Sequence, residues 1–464
     1  MLKWRLPGRK GTDWMKIDGE KIDGLIKDGG AALSQAPAIL DKAGEARGLS
    51  LEDAAALLSI EDPALVQALY KTAGEVKEKI FGKRVVLFAP LYLSNYCTNG
   101  CLYCGFRSSN REVERTALTP QDAVREARVL EKMGFKRVLL VTGEDPRWGL
   151  DYVISCVKAI YGDTGMRIVH VNGPPMDVPE FRELKASGVG VYQSFQETYH
   201  RPTYEKMHPT GRKRDYQYRL DVMDRAVTAG FDDVGIGALL GLYDFRFDCL
   251  STIAHSQHLF HEFGAHAHTI SIPRLRPAKG LEGAPRAVTD EEIKKAVAVY
   301  RLSVPSAGVV VSTREPAQLR NFLIRAGASQ LSAASRTSPG GYAGNGEALE
   351  QFSTNDKRTL HQVLSCVAEE GLLPSLCTTC YRVGRVGRDF TEKTMAGEMN
   401  KFCQANAILT LKEYSLDQRG NGAALETVDK TIVTSIDEVN DPAIKKALLE
   451  KLEELEKGKR DLFF

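Results

Sequence analysis

Hydrophobic and polar positions follow a helical pattern through the first part of the chain. Apolar residues recur three and four positions apart in segments such as 52–59 and 63–80. Ser50 and Asp62 precede these two segments and are candidate helix caps. The pattern predicts a helical N-terminal extension over residues 1–84.

From residue 85 the pattern changes to apolar, strand-like runs that alternate with helix-like segments. Eight such runs occur, at residues 85–95, 138–144, 167–173, 189–198, 232–242, 268–277, 308–315 and 329–336. Strands that are buried on both faces read as continuous apolar runs, and their alternation with helices is typical of a β/α barrel. We therefore predict an α/β fold with a complete eight-stranded TIM-type barrel over residues 85–345. A doubly wound open sheet is the competing arrangement.

Beyond residue 345 this alternation ends. A helix is predicted over residues 356–370, and a charged helix over residues 442–458. Between them lies a segment rich in Cys, Gly and Arg. We expect residues 346–464 to form a third, mostly helical C-terminal domain.

Composition and charge narrow the range of functions. The 62 basic and 60 acidic residues leave a net charge of +2, which argues against a nucleic-acid or anionic-membrane surface. No apolar run reaches the roughly 18 residues of a membrane span, and the start, MLKWRLPGRK, lacks the apolar stretch of a signal peptide. We expect a cytoplasmic protein, in which disulfides are not expected. The nine cysteines therefore need another explanation.

Three cysteines form a CxxxCxxC motif immediately after the first predicted strand: Cys97, Cys101 and Cys104. Three thiolates at this spacing can hold three irons of a 4Fe–4S cluster and leave the fourth iron open to a small molecule. Zinc and unliganded thiols are the alternatives. Zinc usually takes a fourth Cys or His nearby, and the next candidates are as far away as Cys156 and His170.

A second triad follows in the C-terminal region. Cys377 and Cys380 form a CxxC pair, and Cys403 follows after 22 intervening residues. The pair alone would suit a redox site or half of a zinc site. Three cysteines without a fourth can again hold three irons of a cluster and leave the fourth iron open. We therefore predict an auxiliary iron–sulfur site. The remaining cysteines, Cys156, Cys249 and Cys366, have no partner at ligand spacing and are interpreted as ordinary buried thiols.

The first triad, placed after the first strand of a β/α barrel, resembles the radical S-adenosylmethionine (SAM) superfamily. The resemblance implies a 4Fe–4S cluster whose open iron binds SAM. Thr142-Gly143-Glu144 resembles the GGE-like turn that contacts the SAM amino group, with Thr in place of the first Gly. The resemblance also implies SAM contacts for three residues at the ends of later strands: Glu197, Gly235 and Gly237.

The two triads together resemble the tyrosine-cleaving maturation enzyme of FeFe-hydrogenase, over nearly the whole chain. That resemblance implies two 4Fe–4S clusters, the auxiliary one with an additional iron. It implies L-tyrosine, SAM and L-cysteine as small-molecule substrates, and an electron-donor protein and other hydrogenase maturation proteins as partners. Cleavage of the tyrosine Cα–Cβ bond would give p-cresol and a dehydroglycine-like fragment, which becomes carbon monoxide and cyanide bound to iron. The thiazole-forming tyrosine lyase of thiamin synthesis is a sibling without the second triad and is one alternative, and an iron–sulfur scaffold or carrier is the other.

Two further residues are candidates because of their positions on strands. The additional iron needs a nitrogen ligand, and His268 opens the sixth strand, at the barrel mouth opposite SAM; His255 on the preceding helix is the alternative. Arg314 ends the seventh strand, where it can hold the tyrosine carboxylate in a two-point salt bridge. An ion pair with Glu315 is the competing role for Arg314.

Overall fold

Eight parallel strands close into a barrel. The computed structural model describes residues 17–30, 33–276, 284–344, 350–420 and 425–464. The barrel strands are β1 (Arg84–Ser94), β2 (Arg137–Thr142), β3 (Ile168–Asn172), β4 (Val189–Gln193), β5 (Asp233–Gly237), β6 (Thr269–Ser271), β7 (Gly308–Val311) and β8 (Gln330–Ser332). Each pairs with its sequence neighbour, and β1 pairs with both β2 and β8. The ring is therefore closed, which confirms the TIM-type barrel and excludes the open sheet.

Helices surround the barrel on its outer face. They are α5 (Pro120–Met133), α6 (Leu150–Asp163), α7 (Val178–Ala186), α8 (Arg201–Met207), α9 (Tyr216–Leu220), α10 (Val222–Thr228), α11 (Phe245–Phe263), α12 (Asp290–Ser303) and α13 (Ala317–Arg325). Helices α9 and α10 are separated by a turn at Asp221. In the described part of the chain, no helix combines the length and apolar character of a membrane span.

The N-terminal region is helical, as its periodicity predicts. It contains α1 (Gly19–Asp28), α2 (Ala36–Gly44), α3 (Leu51–Leu58) and α4 (Pro63–Phe81). Ser50 and Asp62 cap α3 and α4 by accepting hydrogen bonds from the backbone N–H groups of Asp53 (3.1 Å) and Leu65 (2.9 Å). Both helices pack on α12 of the barrel. The first 16 residues of the predicted extension lie outside the described residues.

The C-terminal region is joined to the barrel through a ninth strand that the sequence pattern did not predict. This strand, β9 (Leu373–Ser375), pairs in parallel with Arg84–Val86 at the start of β1. Pairing of β1 with β2 begins only at Ala89, so β9 occupies the edge at the start of β1 that β2 leaves free. Cys377 follows β9 by two residues and is therefore held at the amino-terminal mouth.

The described residues of the C-terminal region also form six helices: α14 (Leu360–Glu369), α15 (Thr379–Arg382), α16 (Gly387–Met395), α17 (Met399–Gln418), α18 (Glu426–Asp437) and α19 (Pro442–Glu456). Helix α17 contacts β9, β1 and α4 and carries Cys403 on a buried face. The mostly helical character expected for this region is confirmed. The domain boundaries at residues 84/85 and 345/346 stay predictions.

Candidate active site and auxiliary metal centre

A cavity of about 220 Å³ opens at the carboxyl ends of the barrel strands. The loop after β1 forms part of its wall and contributes all three cysteines of the first triad, Cys97, Cys101 and Cys104. Five more of the predicted residues line the same cavity: Thr142, Gly143, Glu144, Glu197 and Arg314. The structure therefore brings the first triad and most of the predicted SAM and substrate residues together at one mouth.

The turn after β2 is in direct contact with the cysteine loop. The Gly143 N–H donates to the Ser94 carbonyl (3.0 Å), and the Thr98 N–H donates to the Glu144 carbonyl (2.9 Å). A Cβ atom on Gly143 would lie 2.2 Å from the carbonyl oxygen of Tyr96. Glycine is required at this position because the cysteine loop passes directly over it.

Glu197 is an ionised carboxylate inside the cavity. Burial opposes its ionisation, but Lys213 and Arg219 outweigh that cost and hold the pKa of Glu197 below its usual range. Lys213 Nζ lies 2.6 Å from Glu197 Oε1. The backbone N–H of Lys213 donates to Asn99 Oδ1 (2.9 Å), and Asn99 Nδ2 donates to Glu144 Oε2 (2.7 Å). The sequence pattern did not point to Asn99 or Lys213, because Asn99 lies in a loop and Lys213 in a 3₁₀ helix of only three residues, both too short for a periodic signal.

Gly235 and Gly237 are explained by packing within the barrel. A Cβ atom on Gly235 would lie 2.5 Å from Thr269 Oγ1, and one on Gly237 would lie 2.5 Å from the Ser271 carbonyl oxygen. These contacts with β6 account for both glycines without a ligand. Their predicted contact with SAM stays a prediction.

Arg314 projects into the first cavity beside an aromatic ring. Its guanidinium lies 3.4 Å from the centroid of the Phe352 ring, and burial lowers its pKa. Glu315, the competing partner, is instead paired with Arg274 and Arg276. The described contacts thus leave Arg314 facing the cavity, while its role in substrate binding stays a prediction.

The donor set of the first triad fits an iron–sulfur cluster. No three His, Cys, Asp or Glu side chains in the described ranges approach closely enough to share one metal ion. A 4Fe–4S cluster does not need this, because each thiolate binds a different iron. N–H groups already point at two of the sulfurs: Phe106 N–H donates to Cys104 Sγ (3.4 Å), and Asn99 Nδ2 donates to Cys97 Sγ (3.7 Å).

The second triad lies at the opposite mouth, in a small cavity of about 30 Å³. Its lining includes Cys377, Cys380, Cys403 and His268. His268 Nε2 lies 2.9 Å from the Tyr381 hydroxyl, and Nδ1 lies 3.1 Å from Asp233 Oδ1. The alternative ligand, His255, is bonded through Nδ1 to the Tyr199 hydroxyl (2.9 Å) instead.

Buried arginines surround this second cavity. Arg84 and Arg137 open β1 and β2 and both line it. Nε of each guanidinium, and Nη2 of Arg137, have no hydrogen-bond partner among the described residues. Burial would lower the pKa of Arg84, but the nearby thiols of Cys403, Cys377 and Cys380 outweigh it and raise that pKa. Three thiols among buried cations with unsatisfied donors fit an anionic iron–sulfur cluster.

Comparisons with known proteins agree with this geometry. The model of the radical SAM superfamily matches residues 91–253, and that of the Biotin and Thiamin Synthesis associated domain matches residues 271–373. A crystal structure of HydG, a maturase of the FeFe-hydrogenase, is 42% identical with a TM-score of 0.93 and covers 97% of this chain and 100% of its own. The chain belongs to the HydG-like family of radical SAM enzymes.

Two further proteins are similar to this chain over most of their length. HydG from Carboxydothermus hydrogenoformans is 36% identical with a TM-score of 0.82, over 94% of this chain and 100% of its own. The 2-iminoacetate synthase of Escherichia coli strain K12 is 35% identical over 78% of this chain and 94% of its own length. Membership of the radical SAM family implies a 4Fe–4S cluster and SAM for this HydG-like enzyme. That the first triad and its cavity hold them stays a prediction.

Proposed function

We propose that this HydG-like enzyme cleaves the Cα–Cβ bond of L-tyrosine to p-cresol and a dehydroglycine-like fragment. We further propose that the fragment becomes carbon monoxide and cyanide bound to iron, for assembly of the FeFe-hydrogenase H-cluster. The observation that carries the proposal is the second cavity, where His268 meets the three cysteines Cys377, Cys380 and Cys403. The likeness to two FeFe-hydrogenase maturases over almost the entire chain supports it.

At the first cavity, the bound cluster and SAM would supply a 5′-deoxyadenosyl radical after one-electron reduction. The residues of this chain would bind and orient the reactants. Arg314 would pair with the tyrosine carboxylate, and Phe352 beneath its guanidinium would fix its direction. Glu144 and the ionised Glu197 would accept hydrogen bonds from the polar groups of SAM.

At the second cavity, the three cysteines would hold the auxiliary cluster, and His268 would bind the additional iron through Nε2. Asp233 Oδ1 lies 3.1 Å from Nδ1 of that imidazole, and a hydrogen bond formed between them would orient the metal-binding histidine. For His268 to bind iron through Nε2, the hydrogen bond between Nε2 and the Tyr381 hydroxyl would have to break. The additional iron and L-cysteine are substrates that leave in the product.

The reaction of a 2-iminoacetate synthase is the second candidate function. It is favoured by the 35% identity to the enzyme of Escherichia coli over 94% of that protein. It explains the first cavity equally well but gives no role to the second one. The partners implied by the resemblance, an electron-donor protein and other hydrogenase maturation proteins, stay predictions, as does the cytoplasmic location.

The test is anaerobic reconstitution with iron and sulfide, followed by addition of reductant, SAM and L-tyrosine. Chromatography measures p-cresol and cyanide, and infrared spectroscopy measures carbon monoxide bound to iron. All three products are expected. Formation of p-cresol and glyoxylate without either diatomic product would support the 2-iminoacetate synthase-type function instead.

A further inference from the structure

Residues 350–352 are held against the loop of the first cysteine triad. The Gly105 N–H, directly after Cys104, donates to the carbonyl oxygen of Gln351 (3.2 Å). The Gln351 N–H donates to the Thr337 carbonyl (2.9 Å), and the Thr337 hydroxyl donates to the Phe352 carbonyl (3.1 Å). Backbone contacts on both sides therefore fix the position of Gln351.

The side chain of Gln351 joins the barrel wall to a cluster ligand. The Tyr92 hydroxyl donates to Gln351 Oε1 (2.7 Å), and Gln351 Nε2 donates to Cys104 Sγ (3.6 Å). Tyr92 lies on β1 and is 5% exposed. A thiolate can only accept, and the amide oxygen can only accept, so this one orientation satisfies both contacts.

We propose that Gln351 is a positioning residue that favours reduction of the SAM-binding cluster. Reduction adds one negative charge, part of which resides on the cysteine sulfurs, and an N–H donor stabilises that charge. Hydrogen bonds to the sulfurs are among the features that set iron–sulfur potentials. Tyr92 keeps the amide turned so that its N–H groups face the sulfur. The inference rests on the cluster of the radical SAM family and not on the identity of the substrate.

The experiment is an EPR-monitored redox titration of the reconstituted full-length enzyme. The relevant cluster is identified by the change in its reduced-state spectrum when SAM is added. In Gln351→Leu, the ratio of reduced to oxidised cluster at a fixed potential is expected to fall about tenfold, a shift of ~59 mV to more negative potential. An unchanged potential in a variant with full iron content would overturn the proposal.

Two further variants separate the amide from the backbone contacts around it. Gln351→Glu keeps the length of the side chain but removes the donor, so it should shift the potential in the same direction even if the Leu variant fails to bind iron. Thr337→Val removes the hydrogen bond to the Phe352 carbonyl and leaves the Gln351 amide in place, so its potential should match that of the wild type. An equal shift in Thr337→Val would show that loosening of the segment, and not loss of the N–H donor, causes the effect.

Discussion

Single residues explain how the cysteine loop is shaped. Gly143 lies beneath that loop, where an added Cβ atom would meet the Tyr96 carbonyl oxygen at 2.2 Å. The nearest atoms are the carbonyl oxygen and carbon of Tyr96 and the Cβ atom of Cys97, none of which is the end of a flexible side chain that can move aside. The path of the cysteine loop therefore depends on the absence of a side chain at Gly143.

Gly143→Ala is expected to displace the loop and to lower the amount of SAM-binding cluster that the protein retains. The measurement is iron content after reconstitution, with the EPR signal that responds to SAM. Gly162→Ala is the matched control, because no atom lies within 4 Å of its added Cβ and the residue is inside α6. This control should keep full iron content and be slightly more stable, since Ala is a better helix former than Gly. Normal SAM-responsive signal in Gly143→Ala would contradict the packing argument.

The two candidate histidines can be distinguished in the same way. His268 lies in the cavity of the second triad, whereas His255 is bonded to Tyr199. His268→Ala should lower the yield of iron-bound carbon monoxide and retain most of the p-cresol, because only the additional iron loses a ligand. His255→Ala should leave the ratio of the two products unchanged. A selective loss of carbon monoxide in His255→Ala alone would identify His255 as the ligand.

At the scale of elements, the sequence predicted all eight barrel strands but placed several of their ends too late. The predicted strands continue over residues 194–198, 238–242 and 272–276, yet β4, β5 and β6 end at Gln193, Gly237 and Ser271. Beyond these ends the pairing continues as isolated bridges, Glu197 with Ala238 and Leu240 with Arg274, and Phe195, Leu239 and Ile272 line the first cavity. In residues 238–242, burial in a ligand cavity and burial in a strand give the same apolar pattern.

Strand β9 could not be predicted from its own sequence. It has three residues, Leu373, Pro374 and Ser375, and proline normally argues against a strand. Pairing with the edge at the start of β1 that β2 leaves free is a tertiary contact that no local pattern encodes. Arg84 and Arg137 were missed for a related reason: an arginine that opens a strand resembles an exposed edge residue until the C-terminal region covers that mouth.

A buried ion pair links α13 to the segment that precedes α14. Arg320 and Asp356 are paired with side-chain exposures of 0% and 1%. Asp356→Ala should lower the free energy of unfolding by about 3–5 kcal/mol, because it leaves a buried guanidinium without its counter-charge. Asp437→Ala is the control, since that carboxylate is 80% exposed and should change stability by no more than about 0.5 kcal/mol. Equal effects in chemical denaturation of the two variants would contradict this account.

The same pair gives a pH dependence. Burial opposes ionisation of Asp356, but Arg358 and Arg320 outweigh it and lower the pKa of Asp356 in the folded state. Its contribution to stability is therefore complete above the unfolded-state pKa of about 3.9 and is lost as the pH falls through the folded-state value. The free energy of unfolding of the wild type should decline more steeply below about pH 4 than that of Asp356→Asn. Parallel curves for the two proteins would show that the pair does not contribute.

At the scale of the whole molecule, the two cysteine triads lie at opposite mouths of one barrel. Along β2, six residues at roughly 3.3 Å each separate the two mouths by about 20 Å. Cysteine spacing in the sequence showed that there are two triads, and the position of His268 at the start of β6 indicated which mouth the second one occupies. The arrangement of Lys213, Asn99, Tyr381 and the buried arginines around them depends on the closed barrel and required the structure.

In the proposed function, tyrosine cleavage belongs to the first cavity and formation of the diatomic products to the second. Product analysis of the variant Cys377→Ala with Cys380→Ala, reconstituted with SAM and L-tyrosine, separates these two roles. The variant should still release p-cresol, because the first triad and its cavity are intact, and it should form no iron-bound carbon monoxide. Loss of p-cresol in a folded variant that still cleaves SAM would contradict the division between the sites, and normal yields of every product would show that the second triad is only structural.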